Sequence, residues 1–357
     1  MTAPRHLVFA YPGDLTLPTG GYAYDRRLVA GLRALGWTVD LLPLGPGFPL
    51  PAPEVRARAE ALLSALPAGT RVMIDGLAFG VLDDWATREA GRLAILALVH
   101  HPLALEGGLP PGTEAALRCS ESRALAAARA IVVTSSRTGR DLSAGFGIAP
   151  ASITVALPGT DPAPAADAGA EPPLILSVGT LIRRKGHDVL IAALARIAAL
   201  DWQARIVGST SLEPATAQAL AAQIAAHGLQ DRVRLVGTVP DTRAEMAAAQ
   251  VFALASRHEG YGMVFAEALS QGLPIVACAT GAVPEVVPEE AGALVPPDDP
   301  AALAEALAAL VGQRAQRLRC AAAAARAGAR LPRWHDTAAR VAAAIETTAP
   351  HRMRRPA

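Results

Sequence analysis

Lysine is almost absent from this chain. Of 33 basic residues, one is a lysine, Lys185, and the other 32 are arginine. Cysteine is nearly as scarce. Cys119, Cys278 and Cys320 are odd in number and far apart, which excludes a disulfide framework and suits three buried thiols in a reducing compartment. No apolar run reaches the roughly 18 residues that a membrane-spanning helix needs. The chain opens directly into a strand-like stretch with no signal-peptide pattern. A cytoplasmic enzyme with at most peripheral membrane contact is therefore expected. Charge of either sign is not in excess: dividing the chain at residue 165 gives 14 basic and 14 acidic residues, then 19 and 18. That balance offers no electrostatic footprint for nucleic acid. The basic run His351–Arg355 is short and reads as a solvated tail. No Gly-x-Gly-x-x-Gly is present, which removes the main support for a dinucleotide oxidoreductase. No two aspartates are separated by a single residue either.

What is present is a regular alternation. Strand-like runs at 6–10, 38–42, 71–75, 93–99 and 130–134 are interleaved with helical runs near 21–35, 52–66, 114–128 and 136–144. The strands are nearly continuous apolar runs, as parallel strands covered on both faces require. Between 156 and 173 the pattern lapses into Pro, Gly and Ala, the composition of a linker. A second alternation follows, with strands near 174–178, 204–208, 233–236, 251–255, 274–278 and 292–295. Two βα series imply two Rossmann-like lobes with parallel sheets, residues 1–165 and 166–333, facing a cleft.

The segment 256–287 is the most informative. Glu259 and Glu267 lie eight residues apart, separated by Gly260, Tyr261 and Gly262 and by the start of an apolar helical run at Met263 and Val264. Glycines at a helix start leave amides free to meet an anion. Eight helical residues rise about 12 Å, the span from a sugar ring across a diphosphate to a ribose. Gly272 and Pro274 close the helix before an apolar strand. This segment resembles the Glu-x7-Glu signature of the retaining glycosyltransferases of family 4, which have the GT-B fold.

The resemblance implies more. Lys185 stands in the strand-to-helix loop Ser177–Gly186, where the family grips the donor diphosphate with an Arg and a Lys. Thr180 occupies the family's arginine position here, so Arg183 or Arg184 is expected to substitute. His100 and His101 end the apolar strand 93–99, and the family places a histidine there against the donor sugar. His100 aligns better. Gly20 and Gly21 match the family's Gly-rich loop near the donor phosphates. Gly237 and Val239 are expected to border the base, Glu267 to take ribose hydroxyls and Glu259 the sugar hydroxyls. The family's C-terminal segment, here the helix 334–357, crosses back onto the first lobe. With no Asp-x-Asp for a metal clamp, the cations Arg184 and Lys185 and helix N-termini neutralise the leaving diphosphate, so neither a metal nor another cofactor is expected. The implied reaction moves a hexose from a nucleotide sugar, UDP-linked rather than GDP-linked, to a small-molecule, glycan or lipid-linked acceptor. A GT-B epimerase or hydrolase, and a non-catalytic nucleotide-sugar binder, remain as alternatives. Acceptor choice would reside in the loops near 12–22, 75–85 and 101–113; Phe79 and Trp85 there read as core or as stacking platforms.

Overall fold

The computed structural model describes residues 5–348 except 107, 108, 110 and 111. The tail around His351–Arg355 and part of the 101–113 loop lie outside the described residues. The chain divides into two compact units, 1–159 with 332–357, and 160–331.

In the first unit six parallel strands run β1 (His6–Tyr11), β2 (Thr38–Pro43), β3 (Arg71–Asp75), β4 (Ala94–Val99), β5 (Ala130–Val133) and β6 (Ile153–Val155). Their spatial order is β2-β1-β3-β4-β5-β6. The inner strands β3, β4 and β5 are buried at every residue, which explains their apolar sequence, broken only by Arg71 and Asp75 at the ends of β3. The three-residue edge strand β6 is half-buried and too short to register as a periodic run. Phe79 and Trp85 are fully buried in the core of this unit, so neither is a stacking platform.

The helix Trp334–Thr347 returns to this unit and packs on the helix Gly20–Ala34. Thr337 donates to the carbonyl of Leu157 at 2.7 Å, and the Trp334 ring meets Tyr24 edge-on.

The second unit repeats the design with β7 (Leu174–Val178), β8 (Gln203–Val207), β9 (Val233–Gly237), β10 (Val251–Leu254), β11 (Ile275–Cys278) and β12 (Gly292–Val295). All pairs are parallel, in the order β12-β11-β10-β7-β8-β9. The division after Gly159 falls a few residues before the 165 read from the linker composition. The reason is local: Gln271 donates to the carbonyl of Pro164, and its own carbonyl accepts from Ala166. Cys278 is buried, but Cys320 is only partly covered and Cys119 is exposed, so the expectation of three buried thiols holds for one. Among the described residues no helix is long and apolar enough to cross a membrane.

Candidate active site

In an open parallel sheet, ligands bind beyond the carboxyl ends of the strands where the winding direction reverses. In the second unit that reversal lies between β7 and β10, which are adjacent although far apart in sequence. The loop after β7 carries Lys185 and the loop after β10 carries Glu259. Topology alone therefore brings them together.

Two glycines let these loops interlock. A Cβ on Gly186, which has φ +63°, would lie 1.9 Å from the carbonyl oxygen of Ala255. A Cβ on Gly281, after β11, would lie 2.1 Å from the carbonyl oxygen of Glu259. The turn Arg183–Lys185 is then fixed by a bond from the Arg257 amide to the Arg184 carbonyl at 2.8 Å.

The result is a buried ion pair. Lys185 Nζ donates to Glu259 Oε1 at 2.6 Å, and the fully buried Ser256 hydroxyl donates to the same oxygen at 2.6 Å. Arg184 Nη1 stands 4.0 Å from the other oxygen, Oε2, and donates to the His258 carbonyl at 3.2 Å. Burial pushes the Glu259 carboxyl up, but Lys185, Arg184 and Ser256 outweigh it and hold it below the usual range. Glu259 is thus ionised, with Oε1 saturated and Oε2 facing a second cation. Between the two candidate arginines, Arg184 approaches Glu259 while the Arg183 side chain is exposed.

The helix Met263–Ser270 begins at Gly262, so Glu259 lies in the preceding loop. The continuous helical rise expected between the two glutamates is therefore absent, because Gly260 and Gly262 break the helix. The amides of Met263 and Val264 open the helix without intrahelical acceptors. Tyr261 is buried, and its phenol is pushed up to about 12. Glu267 sits in the second helical turn, partly buried; burial raises its pKa while Arg243 opposes. Arg243 is braced by Gln271 at 2.7 Å and Ser270 at 2.6 Å. Gly237 ends β9 at the same sheet edge, and Val239 follows it, half-buried.

The first unit holds a second cluster, also beside a winding reversal, here between β1 and β3. His100 follows β4, Asp75 ends β3, and Asp25 lies in the helix after β1. His100 Nε2 is 2.9 Å from Asp25 Oδ1 and 3.5 Å from Asp75 Oδ2. The Tyr24 ring meets the imidazole edge-on at 5.2 Å, and a Cβ on Gly21 would touch it at 3.6 Å. Gly20 and Gly21 form the first helical turn, capped by Thr19, rather than a loop before it. His101 instead faces Glu106. One atom each from Asp25, Asp75 and His100 lie within 4.8 Å of one another. No other group of this kind occurs among the described residues.

Residues 172–313 match the family model of glycosyl transferases group 1. The D-inositol 3-phosphate glycosyltransferase of Xylanimonas cellulosilytica is 33% identical over 306 residues, covering 76% of this chain and 72% of that protein. The chain belongs to the group 1 glycosyltransferases. Solved structures share its fold. Sucrose-phosphate synthase from Thermosynechococcus elongatus superposes with a TM-score of 0.80 at 23% identity, over 96% of this chain and 98% of that one. Anabaena HepE in complex with UDP-glucose gives 0.75 at 19%, over 95% and 99%. The fold is GT-B, and the chain is a glycosyltransferase enzyme.

Sequence reasoning about this glycosyltransferase missed Asp25, Asp75, Ser256 and Arg243. The first two carried a usable signal. Asp25 is one helical turn beyond Gly21, and Asp75 closes the strand paired in register with the one that His100 follows. Ser256 and Arg243 are ordinary polar residues whose roles appear only through contacts.

Proposed function

We propose that this glycosyltransferase is a retaining, metal-independent hexosyltransferase that takes its sugar from a nucleotide sugar, UDP-linked in preference to GDP-linked. The acceptor is a small molecule, a glycan or a lipid-linked saccharide. The observation that carries the reading is the Lys185–Glu259–Ser256 contact at the winding reversal, which leaves Glu259 Oε2 as a fixed, ionised hydrogen-bond acceptor. Support comes from the relative that acts on D-inositol 3-phosphate and from the fold neighbour solved with UDP-glucose.

In this reading Glu267 accepts hydrogen bonds from the ribose, and Gly237 and Val239 border the base. Arg184, Lys185 and the amides near Gly262 and Met263 stabilise the charge that builds on the diphosphate as the glycosidic bond breaks. Glu259 and His100 orient the sugar hydroxyls. The acceptor oxygen bonds to the anomeric carbon on the face the diphosphate leaves, and its proton passes to the departing phosphate. No protein base is required.

The test is a thermal-shift panel of UDP, GDP, ADP and their sugars, followed by transfer assays with the stabilising donor in the presence of chelator. A native-state ligand at a hundredfold excess over Kd adds about 2.7 kcal/mol. Stabilisation by one nucleotide, a product of unchanged anomeric configuration and a rate indifferent to chelator are expected. Conversion of the nucleotide sugar without an acceptor would instead mark an epimerase or hydrolase, and binding without turnover a non-catalytic protein.

A further inference from the structure

The histidine that follows β4 has two carboxylates on one nitrogen. Asp25 is fully buried and Asp75 nearly so, and both address Nε2 of His100, at 2.9 and 3.5 Å. Asp75 uses its other oxygen to accept from the Leu77 amide at 2.7 Å. The second oxygen of Asp25 is enclosed and has no hydrogen-bond partner. On the imidazole, Nδ1 has no hydrogen-bond partner within the protein and is reached by solvent, on a side chain that is 23% exposed.

This arrangement decides what the outward edge of the ring can do. A neutral imidazole carries one proton. With that proton on Nε2, toward Asp25, Nδ1 is a bare acceptor. A second proton turns Nδ1 into a donor, and two buried anions facing one nitrogen supply the reason for it. Without a cation they repel each other in a medium of low polarity.

We propose that Asp25 and Asp75 are positioning residues that hold His100 doubly protonated, with Nδ1–H presented as a hydrogen-bond donor to a hydroxyl or phosphate oxygen of the sugar substrate. The substrate role rests on the transferase reading above; the protonation of the trio does not.

The surrounding groups agree. Burial alone would strip the proton from His100, but Asp25 and Asp75 outweigh it and raise its pKa. Asp25 is itself pushed up, first by burial and then by Asp75, with His100 opposing. The other titratable groups facing the trio are the phenols of Tyr22 and Tyr24 on the same helix as Asp25, both pushed up by burial and both neutral. From the end of β5, Thr134 contributes a hydroxyl that donates to the His100 carbonyl at 3.3 Å.

Ring nitrogen shifts of 15N-labelled histidine would be followed from pH 6 to 9 in the intact chain, with His100→Gln providing the assignment. The expected result is a cationic His100 through pH 8 in wild type and a neutral ring at that pH in both Asp25→Asn and Asp75→Asn. Both variants are near-isosteric, and unchanged UDP affinity confirms that they fold. In transfer assays, each is expected to lower kcat/KM about tenfold at pH 8 and to recover part of the loss at pH 6, a pattern that loss of structure alone does not give. A neutral His100 in wild type at pH 7, or titration unmoved by either substitution, overturns the proposal. So does activity that chelator abolishes and a divalent ion restores, since the three groups would then be metal ligands. If no donor supports transfer, the nitrogen shifts still report on the trio, so the two readings fail separately.

Discussion

Lys185 and Glu259, 74 positions apart, share a 2.6 Å contact with little water on either side chain. The sequence's single lysine therefore has a structural partner as well as a proposed phosphate to bind. Removing Lys185 leaves Glu259 buried with Ser256 and the more distant Arg184 as compensation. Lys185→Ala is expected to cost about 3 kcal/mol of stability as well as turnover. Lys185→Met combined with Glu259→Gln should recover most of that stability while remaining inactive. Urea unfolding of Lys185→Ala and of the double variant measures this; a Lys185→Ala protein as stable as wild type would show that the pair is not coupled.

The close approach at Gly281 gives a steric test of the same site. An alanine there would put its Cβ 2.1 Å from the Glu259 carbonyl oxygen, at a φ of +52° that side chains rarely adopt. Either the loop after β11 or the one carrying Glu259 must move. We expect Gly281→Ala to reduce turnover at least about a hundredfold, since displacing a substrate-orienting group by an ångström has that effect. Gly312→Ala is the control, because a Cβ at Gly312 meets nothing within 4 Å and the residue lies outside the proposed site. Equal effects of the two substitutions in the transfer assay would refute the steric argument.

Much of this was legible in the sequence because parallel sheets write themselves plainly. The apolar strands β4, β10 and β11, and the apolar centre of β3, are buried at every residue, so their composition located them. Edge strand β6 was missed because three half-buried residues carry no period. Lys185 and Glu259 were found from local signals, a lone lysine and a Gly-rich helix start. Their contact was not, because adjacency of β7 and β10 is a property of strand order. The convergence of Asp25 and Asp75 on His100 was missed for the same reason, although each sits at a helix turn or strand end that could have flagged it. The expectation of one helix joining Glu259 to Glu267 failed on the glycines that the motif itself contains.

Ser256 provides a finer test of how Glu259 is held. Its hydroxyl and Lys185 both donate to Oε1, which leaves Oε2 as the acceptor for a substrate hydroxyl. In Ser256→Ala the carboxylate keeps its ion pair but loses one of the two bonds that fix its rotation. We expect kcat/KM to fall about tenfold, matching the roughly 1.5 kcal/mol carried by a hydrogen bond to a charged group. Stability should change little more than that. Steady-state kinetics over a range of donor concentrations checks it, and an unaltered kcat/KM would show that Lys185 alone sets the geometry.

His187, two residues beyond Lys185, predicts how the second unit responds to acid. Its imidazole is buried at the start of the helix His187–Arg196, with Nε2 3.2 Å from the Gly179 carbonyl and Nδ1 3.4 Å from the Ser177 hydroxyl. Burial lowers its pKa to about 4; the Gly179 carbonyl opposes this, and the Lys185 charge adds to it. The folded state thus prefers a neutral ring, while the unfolded chain takes up a proton near pH 6.5. Between those values the unfolded state binds more protons, so stability rises with pH through this window. The contribution is complete above about pH 6.5 and is lost as pH falls toward 4, a loss on the order of 3 kcal/mol. His187→Gln keeps a donor for the Gly179 carbonyl and cannot titrate. Its urea midpoint should fall less steeply than that of wild type between pH 6.5 and 4, whereas parallel curves would place the acid sensitivity elsewhere. Neutralising Lys185 in the Lys185→Met, Glu259→Gln protein removes one positive charge that depresses the pKa of His187. The acid transition of that variant should therefore still begin near pH 6.5 but end at higher pH, spanning a smaller total loss than in wild type.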